Sequence, residues 1–158
     1  MQIRQVKESD NRFLSKIIKK VFEEYDAPKK GTVYSDPTTD SLYELFKMDK
    51  SILWVAEENK TLVGCCGIYP TKGLPEYCAE LVKFYISKQA RGKGIGKILM
   101  EKSLDSAKKL GYSELYIESL PHFSQAIRIY EKQGFMKLDN PLGESGHTGC
   151  NIWMLKKV

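Results

Sequence analysis

Nowhere does this chain hold the roughly 20 consecutive apolar residues that a membrane-spanning helix needs, so no membrane association is predicted. Histidine is scarce, with two in 158 residues, and the four cysteines Cys65, Cys66, Cys78 and Cys150 contain no C-x-x-C pair. A zinc site is therefore not predicted, and no metal is expected. Adjacent residues on a strand point to opposite faces, which makes Cys65 and Cys66 poor disulfide partners. Reduced, buried thiols in a cytoplasmic protein are the expectation. The segment Met1-Gln-Ile-Arg-Gln-Val-Lys-Glu8 has the pattern of neither a signal nor a transit peptide. Repeats, low-complexity tracts and linkers are missing too, so one domain over residues 1–158 is predicted. A cationic arm is also absent. The net charge of +5 is scattered along the chain, which argues against a nucleic-acid partner. It would still suit a phosphate-rich ligand at a positive mouth.

What is present is ordinary in bulk, with 42% hydrophobic and 28% charged residues, and unusual at one place. The apolar run Leu81-Val-Lys-Phe-Tyr-Ile86 is followed by Gln89-Ala-Arg-Gly-Lys-Gly-Ile-Gly-Lys97, and then by an amphipathic stretch from Ile95 to Leu110. That is strand, glycine turn, helix. The first N–H groups of a helix lack intrahelical partners and carry partial positive charge. Gly92, Gly94 and Gly96 allow close approach of an anion, and Lys88, Arg91, Lys93 and Lys97 surround the point with cations. A pyrophosphate cradle is predicted. A dinucleotide-binding turn would need glycine at Lys97, and a Walker loop would need Ser or Thr at Ile98; both fail. The spacing that fits is Q/R-x-x-G-x-G/A, as Gln89-Ala90-Arg91-Gly92-Lys93-Gly94.

Elsewhere the periodicities predict a strand over 2–7 and a helix capped by Ser9 or Asp10, with Phe13, Leu14, Ile17, Ile18, Val21 and Phe22 on its apolar stripe. A loop over 27–39 and a short helix from Asp40 follow. Strands are predicted at 52–56, 62–69 and 77–86, the first two joined by a tight turn at Glu58-Asn-Lys60. Beyond the glycine turn come the helix ended by Gly111, a strand at 115–117, and a helix with Phe123, Ala126, Ile127 and Tyr130 on one stripe. Gly134 ends it, and strands at 135–137 and 152–155 close the chain.

The glycine turn resembles the acetyl-CoA-binding signature of the GCN5-related N-acetyltransferase (GNAT) superfamily. The segment Ile129-Tyr-Glu-Lys-Gln-Gly-Phe135 resembles that family's second signature, Y-E-K-x-G-F, and the order β-α-α-β-β-β-α-β-α-β-β matches its fold along essentially the whole chain. The resemblance implies an α+β (α/β three-layer) fold with a mixed, mostly antiparallel central sheet flanked by helices. It also implies acetyl-CoA as cosubstrate and direct transfer of its acetyl group to a primary amine of a small molecule or peptide. By the same resemblance the pantetheine arm lies along Phe84, Tyr85 and Ile86, on a strand splayed from its neighbour, with a backbone N–H near Tyr85 or Ile86 facing the developing oxyanion. Gln89 and the turn from Arg91, Gly92, Lys93, Gly94, Ile95 and Gly96 to Lys97 would hold the pyrophosphate.

Tyr130 resembles the general acid that protonates the leaving thiolate, although its place on an apolar stripe also fits a packing residue. The acceptor ammonium must lose a proton first, and Glu80 and Glu118 are the candidate bases, Glu80 preferred; either could instead pair with Lys83. His147 sits among three glycines in Pro141-Leu-Gly-Glu-Ser-Gly-His-Thr-Gly-Cys150 and could bind acceptor or shuttle a proton, or merely be solvated. Tyr34, Asp36, Asp40 and Glu144 fall in the segments expected on the acceptor side. Many relatives carry asparagine where this chain has Phe123, so Ser124 or Gln125 would have to supply that pantetheine contact. A catalytically silent acyl-CoA-binding or sensor module stays open as an alternative, as does a homodimer.

Overall fold

The computed structural model describes residues 1–158. Its sheet has seven strands in the order β1-β2-β3-β4-β5-β7-β6. These are β1 (Gln2–Gln5), β2 (Ile52–Glu58), β3 (Thr61–Tyr69), β4 (Cys78–Ile86), β5 (Glu114–Ser119), β6 (Met136–Lys137) and β7 (Ile152–Lys157). Asn59 and Lys60 connect β2 to β3 with φ of 50° and 62°. Two left-handed residues in succession match the twist of an antiparallel hairpin, so the turn is two residues rather than three. Every pairing is antiparallel except β4 with β5, which is parallel. The sheet is thus mixed and mostly antiparallel, as the resemblance implied.

Four helices cover its two faces: α1 (Asn11–Glu24), α2 (Leu42–Leu45), α3 (Ile95–Lys109) and α4 (Ser124–Lys132). On one face, Leu14, Ile18 and Phe22 of α1 pack with Leu42, Leu53, Val55 and Cys65. On the other, Leu99, Met100 and Leu104 of α3 pack with Cys66, Ile68, Leu81 and Ile117. Cys65 and Cys66 do face opposite sides, each in its own core. Burying each large aliphatic side chain contributes about 1.5–3 kcal/mol, so the sheet is stabilised from both faces.

The helix beginnings differ from expectation. Asp10 does not cap α1. A 3₁₀ turn over Glu8–Asp10 precedes the helix, and the Asp10 carboxylate turns back to accept from Arg4 at 2.8 and 3.0 Å and from the Lys7 N–H at 2.7 Å. Phe13 stands 48% exposed beneath the Arg12 guanidinium rather than on the buried stripe. Asp40 ends a 3₁₀ turn over Pro37–Asp40 instead of opening α2, and accepts from Ser15 and Lys19. Phe123 sits at the N-cap of α4, and its ring packs edge-on against Phe22 of α1. Tyr130 is the buried residue of that helix.

Candidate active site

The parallel pairing of β4 with β5 covers three residue pairs, Cys78 with Glu114 through Glu80 with Tyr116, and then stops. β4 runs on to Ile86 and β5 to Ser119 without further bonding between them. The strands part because β4 bends. Against β3, Gly67 faces Val82 and Cys65 faces Tyr85, so β4 spends three steps where β3 spends two. The extra residue is a β-bulge, with Lys83 at φ +56°. The Cys65 thiol donates to the Lys83 carbonyl at 3.0 Å and anchors the distortion. β3 can lie this close because Gly64 has no side chain: a Cβ there would stand 2.9 Å from the Tyr85 carbonyl oxygen.

The parting leaves a cleft of about 330 Å³. Its β4 edge has free backbone groups. The Ser87 N–H donates to Val63 on β3 at 2.8 Å; alternation along the strand then turns the Ile86 N–H the other way, into the cleft. The Ile86 carbonyl, on that same side, accepts from Arg91 Nε at 3.1 Å.

At one end of the cleft lies the glycine turn. Gly92 and Gly94 have φ of +77° and +79°, and an added Cβ at either would meet nothing within 4 Å. Neither glycine is there for packing. Both serve a left-handed backbone facing open space. The N–H groups of the six residues from Gly92 to Lys97 bond no acceptor in the protein. Arg91 lies below them, paired with Glu24 at 2.9 Å and stacked over Tyr25, and its buried Nη2 has no hydrogen-bond partner. Unpaired donors converging on a helix N-terminus suit a diphosphate.

At the other end, carboxyl groups gather. Glu80 is 4% exposed and accepts from Thr71 Oγ1 at 2.7 Å. Burial pushes its pKa up to about 7, with the Glu118 charge adding to the rise and the Thr71 bond and Lys83 opposing it. Glu118 accepts from Tyr116 Oη at 2.8 Å and from Ser145 Oγ. Tyr116 in turn accepts the Leu142 N–H at 3.0 Å, which pins the 141–149 loop over β5. His147 Nε2 is bonded to Asp36 Oδ2 at 2.7 Å. Burial of Asp36 opposes its ionisation, yet bonds from His147 and Thr38 outweigh this and hold it at about 2. Tyr130, 5% exposed, lies between the rings of Phe84 and Phe135 with no protein partner for its hydroxyl. Burial raises its pKa above the phenol range, so it keeps its proton.

Glu80, Glu118, Tyr130, His147, Phe84, Tyr85, Ile86, Arg91, Gly92, Gly94, Ile95, Gly96 and Lys97 all line this one cleft. Lys88, Gln89, Lys93, Tyr34, Asp36, Asp40 and Glu144, also expected around it, do not. Gln89 lines a separate cavity with Lys88; Lys93 reaches away to Glu58 at 3.4 Å; Tyr34 donates to Glu23 at 3.0 Å outside the cleft. Gln125 lines the cleft and Ser124 does not. Lys83 lines the cleft, and Tyr116, Ser145 and Thr71 bond to its carboxyl groups, none of them expected from the sequence. A lysine and a glutamate inside an otherwise apolar strand were the available signal for the first.

Comparison with known proteins came to one answer. The profile of the Acetyltransferase (GNAT) family matches residues 18–135. The uncharacterized N-acetyltransferase YjgM of Escherichia coli K12 is 33% identical over 150 residues, covering 94% of this chain and 90% of that one. The solved structure of a GNAT-family acetyltransferase from Staphylococcus aureus Mu50 superposes with a TM-score of 0.87 at 20% identity, over 99% of this chain and 98% of the other. A structure of YncA from Salmonella typhimurium, described as a putative acetyltransferase with its cofactor acetyl-CoA, superposes with a TM-score of 0.76 at 17% identity, over 99% and 93%.

Proposed function

This chain belongs to the GNAT family of acetyltransferases, and from that premise we propose that residues 1–158 form one domain that moves the acetyl group of acetyl-CoA directly onto a primary amine. The observation that carries the proposal is the continuity of the cleft. Five unpaired amides at one mouth (Gly92 and Gly94 to Lys97), a free strand edge in the middle and two carboxyl groups at the far end lie along one groove. That is the sequence of needs of a thioester held by its diphosphate and attacked by an amine.

In this reading the amides of Gly92 to Lys97, with Arg91, bind the diphosphate. The pantetheine arm runs beside β4, where β5 has left the edge open. The acceptor arrives as an ammonium of pKa about 10.4 and is not nucleophilic until it gives up a proton. Glu80, ionised above about pH 7, takes that proton, with Glu118 and its Tyr116–Ser145 bonds beside it. The amine nitrogen then forms a bond to the thioester carbon, and the Ile86 N–H stabilises the oxyanion that develops. As the C–S bond breaks, the Tyr130 hydroxyl gives its proton to the leaving sulfur. Direct transfer is favoured over a covalent acyl-enzyme because burial pushes Cys65 and Cys66, and likewise Cys150 on the cleft wall, up to about 12 and keeps all three protonated.

The test is a panel of primary amines incubated with acetyl-CoA, with release of free thiol followed. Release that requires an amine and yields the acetylated product supports the reading. Tight binding of acetyl-CoA with no release across the panel would leave a silent acyl-CoA-binding module in its place.

A further inference from the structure

Lys83 has no part in the reaction just described, yet the fold goes to some expense to keep it in the cleft. The residue is 6% exposed and lines the cavity. No acidic group pairs with its ammonium and nothing accepts a hydrogen bond from it; Asp36 and Glu80 act on it only through their charge. Burial accordingly lowers its pKa below the usual lysine value. Burial that penalises its charge is one cost of keeping it there. Its φ of +56° is a second cost at the same residue.

The bulge explains what is gained. On a regular strand, residues three apart point to opposite faces. The extra residue in β4 cancels that, and brings Lys83 to the neighbourhood of Glu80, whose charge it feels. One pocket therefore presents carboxyl groups, Glu80 and Glu118, near an ammonium with which no carboxylate forms a direct ion pair. Asp36, the other nearby acid, is already occupied by His147. The walls around them, Phe22, Val33, Val82 and Phe123, are apolar.

We infer that the acceptor is a free α-amino acid with an apolar side chain, its carboxylate held by the Lys83 ammonium while its amine faces Glu80. This rests on the acetyl-transfer reading above and adds the substrate class. A polyamine would bring a second cation against Lys83, and an amino sugar or a protein N-terminus would leave it without an anion. An amino acid supplies both charges next to each other, in the order the pocket wants.

The experiment compares two substrate pairs, L-leucine with isoamylamine and L-phenylalanine with phenethylamine, on wild type, Lys83→Met and Lys83→Arg. The ratio of variant to wild type on each substrate cancels the difference in amine basicity. Loss of a charged hydrogen bond predicts that K83M lowers kcat/KM on the amino acids by about tenfold to a hundredfold, mainly through KM. On the decarboxylated amines it falls about threefold at most, and K83R restores part of the loss. Acetyl-CoA affinity measured on the same preparations checks that the variants are folded. Equal losses on both members of a pair overturn the inference, as does wild-type turnover of polyamines with none of amino acids. Should acetyl-CoA bind but no amine release thiol, the transfer reading fails separately. Calorimetric titration of L-leucine into the CoA-saturated protein then decides: binding weakened by K83M upholds the amino-acid site, and no binding removes it.

Discussion

Glu80 sits where water barely reaches, hydrogen-bonded to Thr71 and within the field of Glu118. Two consequences follow from the proton it holds. As the proposed base it must be ionised, so the rate should rise with pH through a limb near 7. In Glu80→Gln that limb should vanish and kcat/KM should drop by about 10²–10⁴; a pH–rate profile of both proteins checks it, and an unchanged limb would move the role to Glu118. Stability should run the other way. A carboxyl whose pKa is raised from 4.5 to about 7 on folding binds its proton more tightly in the native state. Its contribution is therefore full below pH 4.5 and lost as the pH rises to about 7. E80Q should flatten that slope in urea midpoints taken at pH 5 and pH 8. Tyr130→Phe removes a hydroxyl with no protein partner, so its melting temperature should stay near the wild-type value while kcat drops by about 10²–10⁴. Equal kcat would return Tyr130 to the packing role its aromatic neighbours also permit.

At the scale of elements, the glycine turn makes the sharpest distinction between folding and binding. Gly92→Ala and Gly94→Ala place a Cβ in open space but force a left-handed backbone, at about 1–2 kcal/mol. Acetyl-CoA affinity should fall by more than that strain accounts for, because in the proposed binding mode the new methyl stands in the path of the diphosphate; titration and melting curves on the same variants separate the two. This turn and the order of strands and helices were legible in the sequence, since apolar period and glycine punctuation are local signals. Asp10 was not, because Arg4, six residues earlier, competes for its carboxylate with the helix amides it was expected to cap. The bulge at Lys83 was hidden for a different reason. Nothing in Leu81-Val-Lys-Phe-Tyr85 demands positive φ; the thiol of Cys65 and the bare face of Gly64 on another strand support it. Tyr34 was misplaced because exposure to the acceptor side was inferred from loop position alone, and its ring packs against Phe22 instead.

For the molecule as a whole, ligand and stability are linked. With the cleft filled, any acetyl-CoA bound to the native state alone stabilises it by about 2.7 kcal/mol at a hundred times Kd. For a chain of this size that corresponds to a rise of about 5–11 °C in melting temperature. The shift should shrink as salt is added, because cations at an open mouth are screened. A thermal scan with and without acetyl-CoA, at low and high ionic strength, measures both; no shift at either would remove the cofactor from the proposal.

The joint between His147 and Asp36 spans 111 positions of chain, and the Gly149 N–H on Gly31 at 2.8 Å doubles it. The two loops that it fastens are thus halves of one latch. Transplanting 141–149 from another protein without its counterpart around 31–36 would leave both halves unmated. Retargeting such a scaffold to a new acceptor is a task of paired edits, and a library that randomises either stretch by itself would mostly sample broken latches.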